Sequence, residues 1–581
     1  MKTPRTVTRY TFRFLLSVFC FSALLLFCFS TYGQPPNCYR ITFSDKNNSP
    51  YSINRPEEFL SQRAIAKRKR FNIPITEQDL PVNPQYIEAI LNCSSEPSHI
   101  ISKSKWDNSV VIFYPETENC HGIISDVLNH LSFVIDALPV AYYKLPFRTE
   151  EPAKKNVNYQ SQTSKSILSS SCDYNYGKSI DNVKLHKGEL LHKAGFCGEG
   201  MLIGVFDSSW SGFDTISYFR PLYENGQIWG VRDLSFGINN NYEIGSGHGT
   251  FTTSIMASAV EGKIIGTAPK ANYFFIRVNS PLDCEQLILE DLWAQAAEIA
   301  DSLGVDVINS SLGFTTFYYD WQNIYTPADN DGKTSITSRA ASTLARKGII
   351  LVNSAGNEAY SNWKYITRPA DAVNILAVGM VQRNGEIHPL SLTSYGPSSD
   401  GRVKPDVAAL GSDVWCVTSD GVIRGTGSGT SAAAPIITGL TACLWQALPQ
   451  YSTIEIMDLI REYGDRANNP DERKGYGIPD FYQCYLDHYI GVHENEKPEV
   501  CVYPNPTAGE IRVACRDALQ CVFTNVEVFD VLGRKQIAEI RNQKAEGEVT
   551  VVVDISTLPA GVYFVKILTE KGLVNTRIIK Y

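Results

Sequence analysis

Gly425-Thr426-Gly427-Ser428-Gly429-Thr430-Ser431-Ala432-Ala433-Ala434-Pro435 is the stretch on which the reading of this chain turns. Its glycines let the backbone bend sharply, and the alanine-rich run that follows reads as a helix, so Ser431 stands at a helix N-terminus. Alone, such a serine is a helix cap. The glycine-rich approach also suggests a phosphate-binding loop, but the lysine that such a loop needs is absent and the spacing is wrong. Two earlier stretches share this ambiguity. Leu202-Ile203-Gly204-Val205-Phe206-Asp207 is an apolar strand ending in a carboxylate, which alone is a turn residue or a helix cap. Gly245-Ser246-Gly247-His248-Gly249-Thr250 opens a helical stretch and holds the one Gly-His-Gly among nine histidines.

Around these points the chain alternates strands with helices. Leu202 to Phe206, Tyr273 to Arg277, Val305 to Asn309, Ile349 to Asn353 and Ile375 to Val378 are short, β-branched apolar runs. Ile288, Leu292, Ala296, Ile299 and Leu303 fall at helical spacing between two of them. That alternation predicts a mostly parallel sheet covered on both faces, with its chemistry at the carboxyl ends of the strands.

The order Asp, His, Ser is that of subtilisin and differs from the chymotrypsin and α/β-hydrolase orders. The blocks VFDSSW, GHGT, NSSLG, SAGNE and GTSAAAP resemble the subtilisin-like (subtilase, S8) serine proteases over residues 175 to 485. The resemblance implies an α/β, subtilisin-like three-layer domain with a mostly parallel central sheet. It also implies roles: Ser431 as nucleophile, His248 as general base, and Asp207 fixing the imidazole tautomer. Asn357 matches the oxyanion donor, with the Ser431 backbone N–H as the second. Ser311-Leu312-Gly313 matches the family's edge strand, which pairs with an extended peptide; a core strand ending in a glycine turn reads equally well. Ser354, Ala355 and Gly356 complete the substrate-binding set, and Glu358 falls near the S1 pocket, where a mild preference for basic residues is expected. After Asp207 the family carries a small residue and then Gly; here Ser208-Ser209-Trp210 follows, which leaves the local turn open. The stretch Phe314 to Ser338 is an insertion. Within it, Asp329-Asn330-Asp331-Gly332 resembles the start of a calcium loop, but the downstream Glu is missing and an ordinary turn is preferred. No metal ligand is assigned, and a structural calcium is the only cofactor left open.

At 581 residues the chain is too long for one domain. Residues 1–33 read as a signal peptide, with Lys2, Arg5, Arg9 and Arg13 ahead of the apolar run Phe14 to Phe29. Residues 34–172 read as a small α+β prodomain, 173–488 as the catalytic domain, 489–499 as a linker and 500–581 as a small all-β sandwich. Removal of the prodomain is expected near residues 161–173. Lys67-Arg68-Lys69-Arg70 invites a reading as a processing site, but the solvated face of a helix beginning near Pro56 is favoured. The last segment resembles the C-terminal sorting domain of the type IX secretion system. It does so through Tyr503-Pro504-Asn505-Pro506-Thr507, Val528 to Arg534, Leu558 to Phe564 and the basic end Arg577 to Lys580.

The expected partners are therefore polypeptide substrates, the chain's own prodomain as intramolecular inhibitor, and the outer-membrane secretion machinery. The expected location is outside a Gram-negative cell, released or held at its outer surface. The net charge of −8 argues against nucleic acid. Fourteen cysteines, two of them in the signal segment, favour disulfides in an oxidising compartment, with connectivity left open. A catalytically silent surface adhesin on the same scaffold is the competing reading.

Overall fold

The structure is a computed structural model. It describes residues 35–115, 119–143, 172–235, 247–279, 284–489, 500–515, 523–531, 533–536, 538–545, 548–569 and 572–581. The expected signal segment, the Ser-rich stretch before Cys172 and nearly all of the expected linker lie outside these residues.

In the first part of the chain, strands β1 (Cys38–Phe43), β2 (His99–Ser104), β3 (Ser109–Phe113) and β4 (Val134–Ala141) form one sheet in the order β2-β3-β1-β4. All three pairings are antiparallel. Helices Pro84–Leu91 and Cys120–His130 contribute Ile87, Ile90, Ile123 and Val127 to the core on one face. The other face carries Val111, Phe113, Val140 and Ala141, which share a buried cluster with Trp293, Leu292 and Ile308 of the following domain. The two domains therefore close one hydrophobic core between them.

The central sheet uses β5 (Leu202–Asp207), β6 (Ile228–Asp233), β9 (Asn272–Arg277), β10 (Val307–Ser310), β11 (Ile350–Ser354), β12 (Leu376–Val381) and β13 (Val407–Leu410). The short pair β7 (Ala259–Val260) and β8 (Ile264–Ile265) stands apart from this sheet. Its order is β13-β12-β11-β10-β5-β9-β6, and every neighbouring pair is parallel. Strand alternation sends Ile203 and Val205 to one buried face and Leu202 and Phe206 to the other. Helices His248–Ala257 and Thr430–Ala447 cover the first face; Ile288–Leu303 and Ile336–Leu344 cover the second. The three-layer expectation holds, and one helix, Ile288–Leu303, covers the five residues noted at helical spacing. Because β6 and β9 lie on one side of β5 and β10 to β13 lie on the other, the order reverses between β5 and β10. A crevice at the carboxyl ends is expected there.

The C-terminal segment is two four-stranded antiparallel sheets. Ile511, Val513 and Val553 from one sheet meet Val526, Val528 and Val565 from the other, as in a sandwich.

One expectation is overturned. The Lys67–Arg70 run does end a helix, Gln62–Arg70, but only Lys69 and Arg70 face solvent: Lys67 is 9% and Arg68 2% exposed. Arg68 donates to both oxygens of Asp79 and to Asp301 at 2.8 Å, while Lys67 reaches Asp306 at 2.8 Å. Asp301 and Asp306 belong to the domain built on the seven-stranded sheet, and spacing within one segment gives no sign of carboxylates that arrive from more than 200 residues away. The cysteines resolve in part: Cys172 is bonded to Cys197, and Cys38, Cys93, Cys416, Cys443 and Cys484 are free thiols.

Candidate active site

Asp207 is the last residue of β5 and fully buried. His248 opens the helix after Gly247, whose φ of +71° and contact with Ser419 leave no room for a side chain. His248 Nδ1 and Asp207 Oδ1 are 2.7 Å apart. Thr252, one turn along the helix, donates from Oγ1 to Asp207 Oδ2 at 2.9 Å, and the Ser208 N–H donates to Oδ1 at 2.7 Å. Both carboxylate oxygens are thus held in place. Burial lowers the pKa of His248, but the charge of Asp207 and its hydrogen bond outweigh this and raise it above the usual imidazole value. The ring keeps about a third of its surface in solvent and stands edge-on to Phe251.

Ser208-Ser209-Trp210, the departure from the family pattern, builds the cradle of this histidine. The Ser209 carbonyl accepts the Gly249 N–H at 2.7 Å, Ser209 Oγ accepts the Gly247 N–H at 3.2 Å, and Trp210 Nε1 donates to Thr253 at 3.0 Å. A Cβ on Gly249 would lie 2.5 Å from the Ser209 carbonyl and 2.8 Å from the Trp210 ring. The indole fills the space, and the Gly-His-Gly setting leaves room for it.

Ser431 is the second residue of helix Thr430–Ala447, after Gly429 with φ +102°. Its Oγ donates to the Ser311 carbonyl at 3.4 Å. Among the described residues no hydrogen bond joins Oγ to His248, and the Ser431 N–H finds no acceptor. The free N–H is a helix-terminal donor. Asn357 stands beyond the end of β11 and is exposed. Its Oδ1 accepts from Thr430 N at 3.0 Å and Thr430 Oγ1 at 3.1 Å. With the oxygen so fixed, the Asn357 NH₂ and the Ser431 N–H are the donors left over at this helix end.

Ser311, Leu312 and Gly313 extend past the carboxyl end of β10, which is an inner strand paired with β5 and β11. They lie beyond the last residue of that strand, Ser310, and the edges of the sheet itself are β13 and β6. Ser354 ends β11, and Ala355 and Gly356 run from it to Asn357. Asn353 Nδ2 ties the two segments together by donating to the Leu312 carbonyl at 3.1 Å and the Ser354 carbonyl at 2.8 Å. Thr367 sits between them: a Cβ would come within 2.2 Å of its Oγ1 at Gly313 and 2.6 Å of its Cγ2 at Gly356. Glu358 donates its N–H to Ser394 Oγ at 2.9 Å. In the insertion, Asp331 Oδ1 accepts the N–H groups of Lys333 and Thr334, so this carboxylate closes an Asx turn. No group of metal-binding residues occurs among the described residues.

Ser208, Thr252, Asn353 and Thr430 are the supporting residues that sequence reading passed over. Thr252 had a signal, its four-residue spacing from His248 on one helix; the others reach their partners only through the fold.

Residues 198–477 match the subtilase family model. This is a subtilase domain. Residues 38–169 match the peptidase S8 propeptide domain of Bacteroidota, and residues 501–581 match the secretion system C-terminal sorting domain. That domain marks a secreted or cell-surface protein, and among the described residues no helix is long and apolar enough to cross a membrane. The chain is 25% identical over 336 residues to a probable subtilase-type serine protease of Deinococcus radiodurans, covering 52% of this chain and 42% of that protein. It is 25% identical over 338 residues to the serine protease AprX of Bacillus subtilis, covering 54% and 70%. It is 23% identical over 362 residues to a thermostable alkaline protease of Halalkalibacterium halodurans, covering 62% and 87%. The chain thus spans less than half the length of the Deinococcus relative. The subtilase domain contains all ten site residues named from the sequence.

Proposed function

We propose that this chain is a secreted serine endopeptidase that hydrolyses peptide bonds of proteins through an acyl-enzyme. The observation that carries the reading is the 2.7 Å contact of His248 Nδ1 with a buried Asp207, on the same carboxyl edge of the sheet as Ser431. The carboxylate fixes the proton on Nδ1 and leaves Nε2 as the base. Ser431 Oγ gives its proton to Nε2 and attacks the scissile carbonyl. The oxyanion that forms is met by the Ser431 N–H and the Asn357 NH₂. His248 then protonates the leaving amine, and water repeats the sequence on the ester. Ser311–Gly313 and Ser354–Gly356 would hold the substrate main chain, so selectivity by side chain is broad.

The prosegment, docked on the 288–303 helix, would restrain the enzyme until it is cut away, and the C-terminal domain would address the protein to the secretion machinery. The test compares the native chain with Ser431→Ala on denatured casein after maturation. Cleavage by the native chain alone supports the reading. Equal inertness of both favours the silent-scaffold alternative.

A further inference from the structure

Prosegment residues Val140–Tyr143 lie on a part of the subtilase domain that peptide hydrolysis as described does not use. Gln286, just ahead of the 288–303 helix, is fully buried and holds the main chain of Tyr142 by both of its groups. Gln286 Oε1 accepts the Tyr142 N–H at 2.9 Å, and Nε2 donates to the Tyr142 carbonyl at 3.1 Å. Gln322, in the insertion and equally buried, donates from Nε2 to the Val140 carbonyl and to Gln286 Oε1, each at 3.1 Å. Its own Oε1 is buried with no hydrogen-bond partner. The Tyr319 ring stands edge-on to Tyr142, with centroids 6.4 Å apart. Val140, Ala141 and Tyr143 are buried in one cluster with Leu287, Phe314 and Phe317.

A primary amide that donates and accepts with one residue's N–H and C=O does what a neighbouring β-strand does. It selects an extended main chain and ignores the side chain. The aromatic and apolar surroundings then select what flanks it. The site lies beside the cleft: residues 314–322 continue directly from Ser311–Gly313, and the Tyr318 N–H donates to the Glu285 carbonyl at 2.9 Å. The Glu285 carboxyl is raised by burial and, second, by the charge of Glu358, which adjoins Asn357. Two of the groups, Gln322 and Tyr319, sit on the insertion that sets this chain apart from the family pattern.

We propose that, once the prosegment has left, Gln286, Gln322 and Tyr319 form a subsite for the main chain of an extended polypeptide bearing an aromatic residue, on the amino-terminal side of the cut. The sense of the chain follows from the prosegment, which enters the site ahead of the expected processing region at residues 161–173. This inference rests on the protease reading, and the experiment separates the two.

The self-matured enzyme is given paired peptides with one scissile sequence, with and without an amino-terminal Ala-Leu-Pro-Val-Ala-Tyr-Tyr, the sequence of residues 137–143. The extension should raise kcat/KM roughly tenfold, the worth of two net hydrogen bonds, and the long-to-short ratio should fall towards one in Gln286→Met and in Gln322→Met. In parallel, binding of the free heptapeptide is measured on the Ser431→Ala chain trimmed by added protease, with and without Gln286→Met. Binding lost with Gln286→Met supports the subsite even if no peptide is cleaved, in which case the protease reading alone falls. A ratio near one in the native enzyme, or one that survives both substitutions, overturns the subsite, as does heptapeptide binding indifferent to Gln286.

Discussion

Asp207 shows how far single residues could be read ahead of the structure. Its place at the end of an apolar strand, with Gly-His-Gly and Gly-Thr-Ser following in order, was legible because each motif is local. What holds it was not: the Thr252 hydroxyl and the Ser208 N–H reach it only when the helix packs over β5. In the proposed mechanism this carboxylate has two jobs, orientation and charge. Asp207→Asn keeps the shape but loses the charge, and should lower kcat by about 10⁴-fold, as the same change does in a related triad. It should also move the acid limb of the rate profile. In the native enzyme His248 is raised above the usual imidazole value, so activity should rise with pH through an apparent pKa above about 6.5. Without the Asp207 charge only burial remains, which lowers the pKa, so the limb should shift to lower pH. Asn357→Ala should cost about 10²–10³ in kcat with little change in KM, the magnitude measured for that donor in subtilisin itself. Thr430→Val frees Asn357 Oδ1 from one of its two donors and should cost less than Asn357→Ala, in the same parameter.

The elements divide differently. Strands β5 and β9 and the 288–303 helix were legible because a buried parallel strand and an amphipathic helix write their periods into the sequence. The prosegment helix Gln62–Arg70 was placed, but its environment was misread. The same basic pattern that serves a solvated face here feeds a buried network, because helix Ile288–Leu303 presents Asp291, Glu298 and Asp301 to the prosegment. Every one of these acids finds its partner there: Arg40 for Asp291, Ser104 and the Lys105 and Trp106 N–H groups for Glu298, and Arg68 and Lys105 for Asp301. The same helix ends on prosegment donors, with Lys67 Nζ 3.0 Å from the Gly304 carbonyl and Ser61 Oγ 3.0 Å from that of Leu303. Arg68→Met leaves Asp79 and Asp301 buried with fewer partners and should destabilise the full chain by about 3–5 kcal/mol, read by denaturant unfolding. Burial alone would raise Asp79, yet Arg68 and Lys347 hold it down at about 2. A depressed folded pKa adds stability that is present above the unfolded value near 3.8 and lost as pH falls through about 2. The stability difference between the native chain and Asp79→Asn should therefore be full at pH 5 and fade between about 4 and 2.

At the scale of the whole molecule, the order of parts could be read from composition and motifs, whereas the sharing of a core could not. Val111, Phe113, Val140 and Ala141 look like an ordinary strand face until Trp293 and Leu292 are seen against them. A prosegment joined by both a hydrophobic cluster and buried ion pairs should separate slowly after cleavage, and 1 M salt should speed its release only modestly, since buried pairs are poorly screened. Gel filtration of the matured mixture with and without salt measures this. Removal of residues 501–581 should leave the specific activity of the matured enzyme within about twofold while keeping the protein inside the cell, as read by fractionation; the 80-odd residues form a core of their own. The central claim concerns one oxygen atom, and a fluorophosphonate tests it most directly. Peptide mapping of the matured enzyme after treatment should find the adduct on Ser431 in about one equivalent, and none in His248→Ala treated alike. Labelling elsewhere with Ser431 unmodified, or equal labelling of Ser431 without His248, would contradict the account.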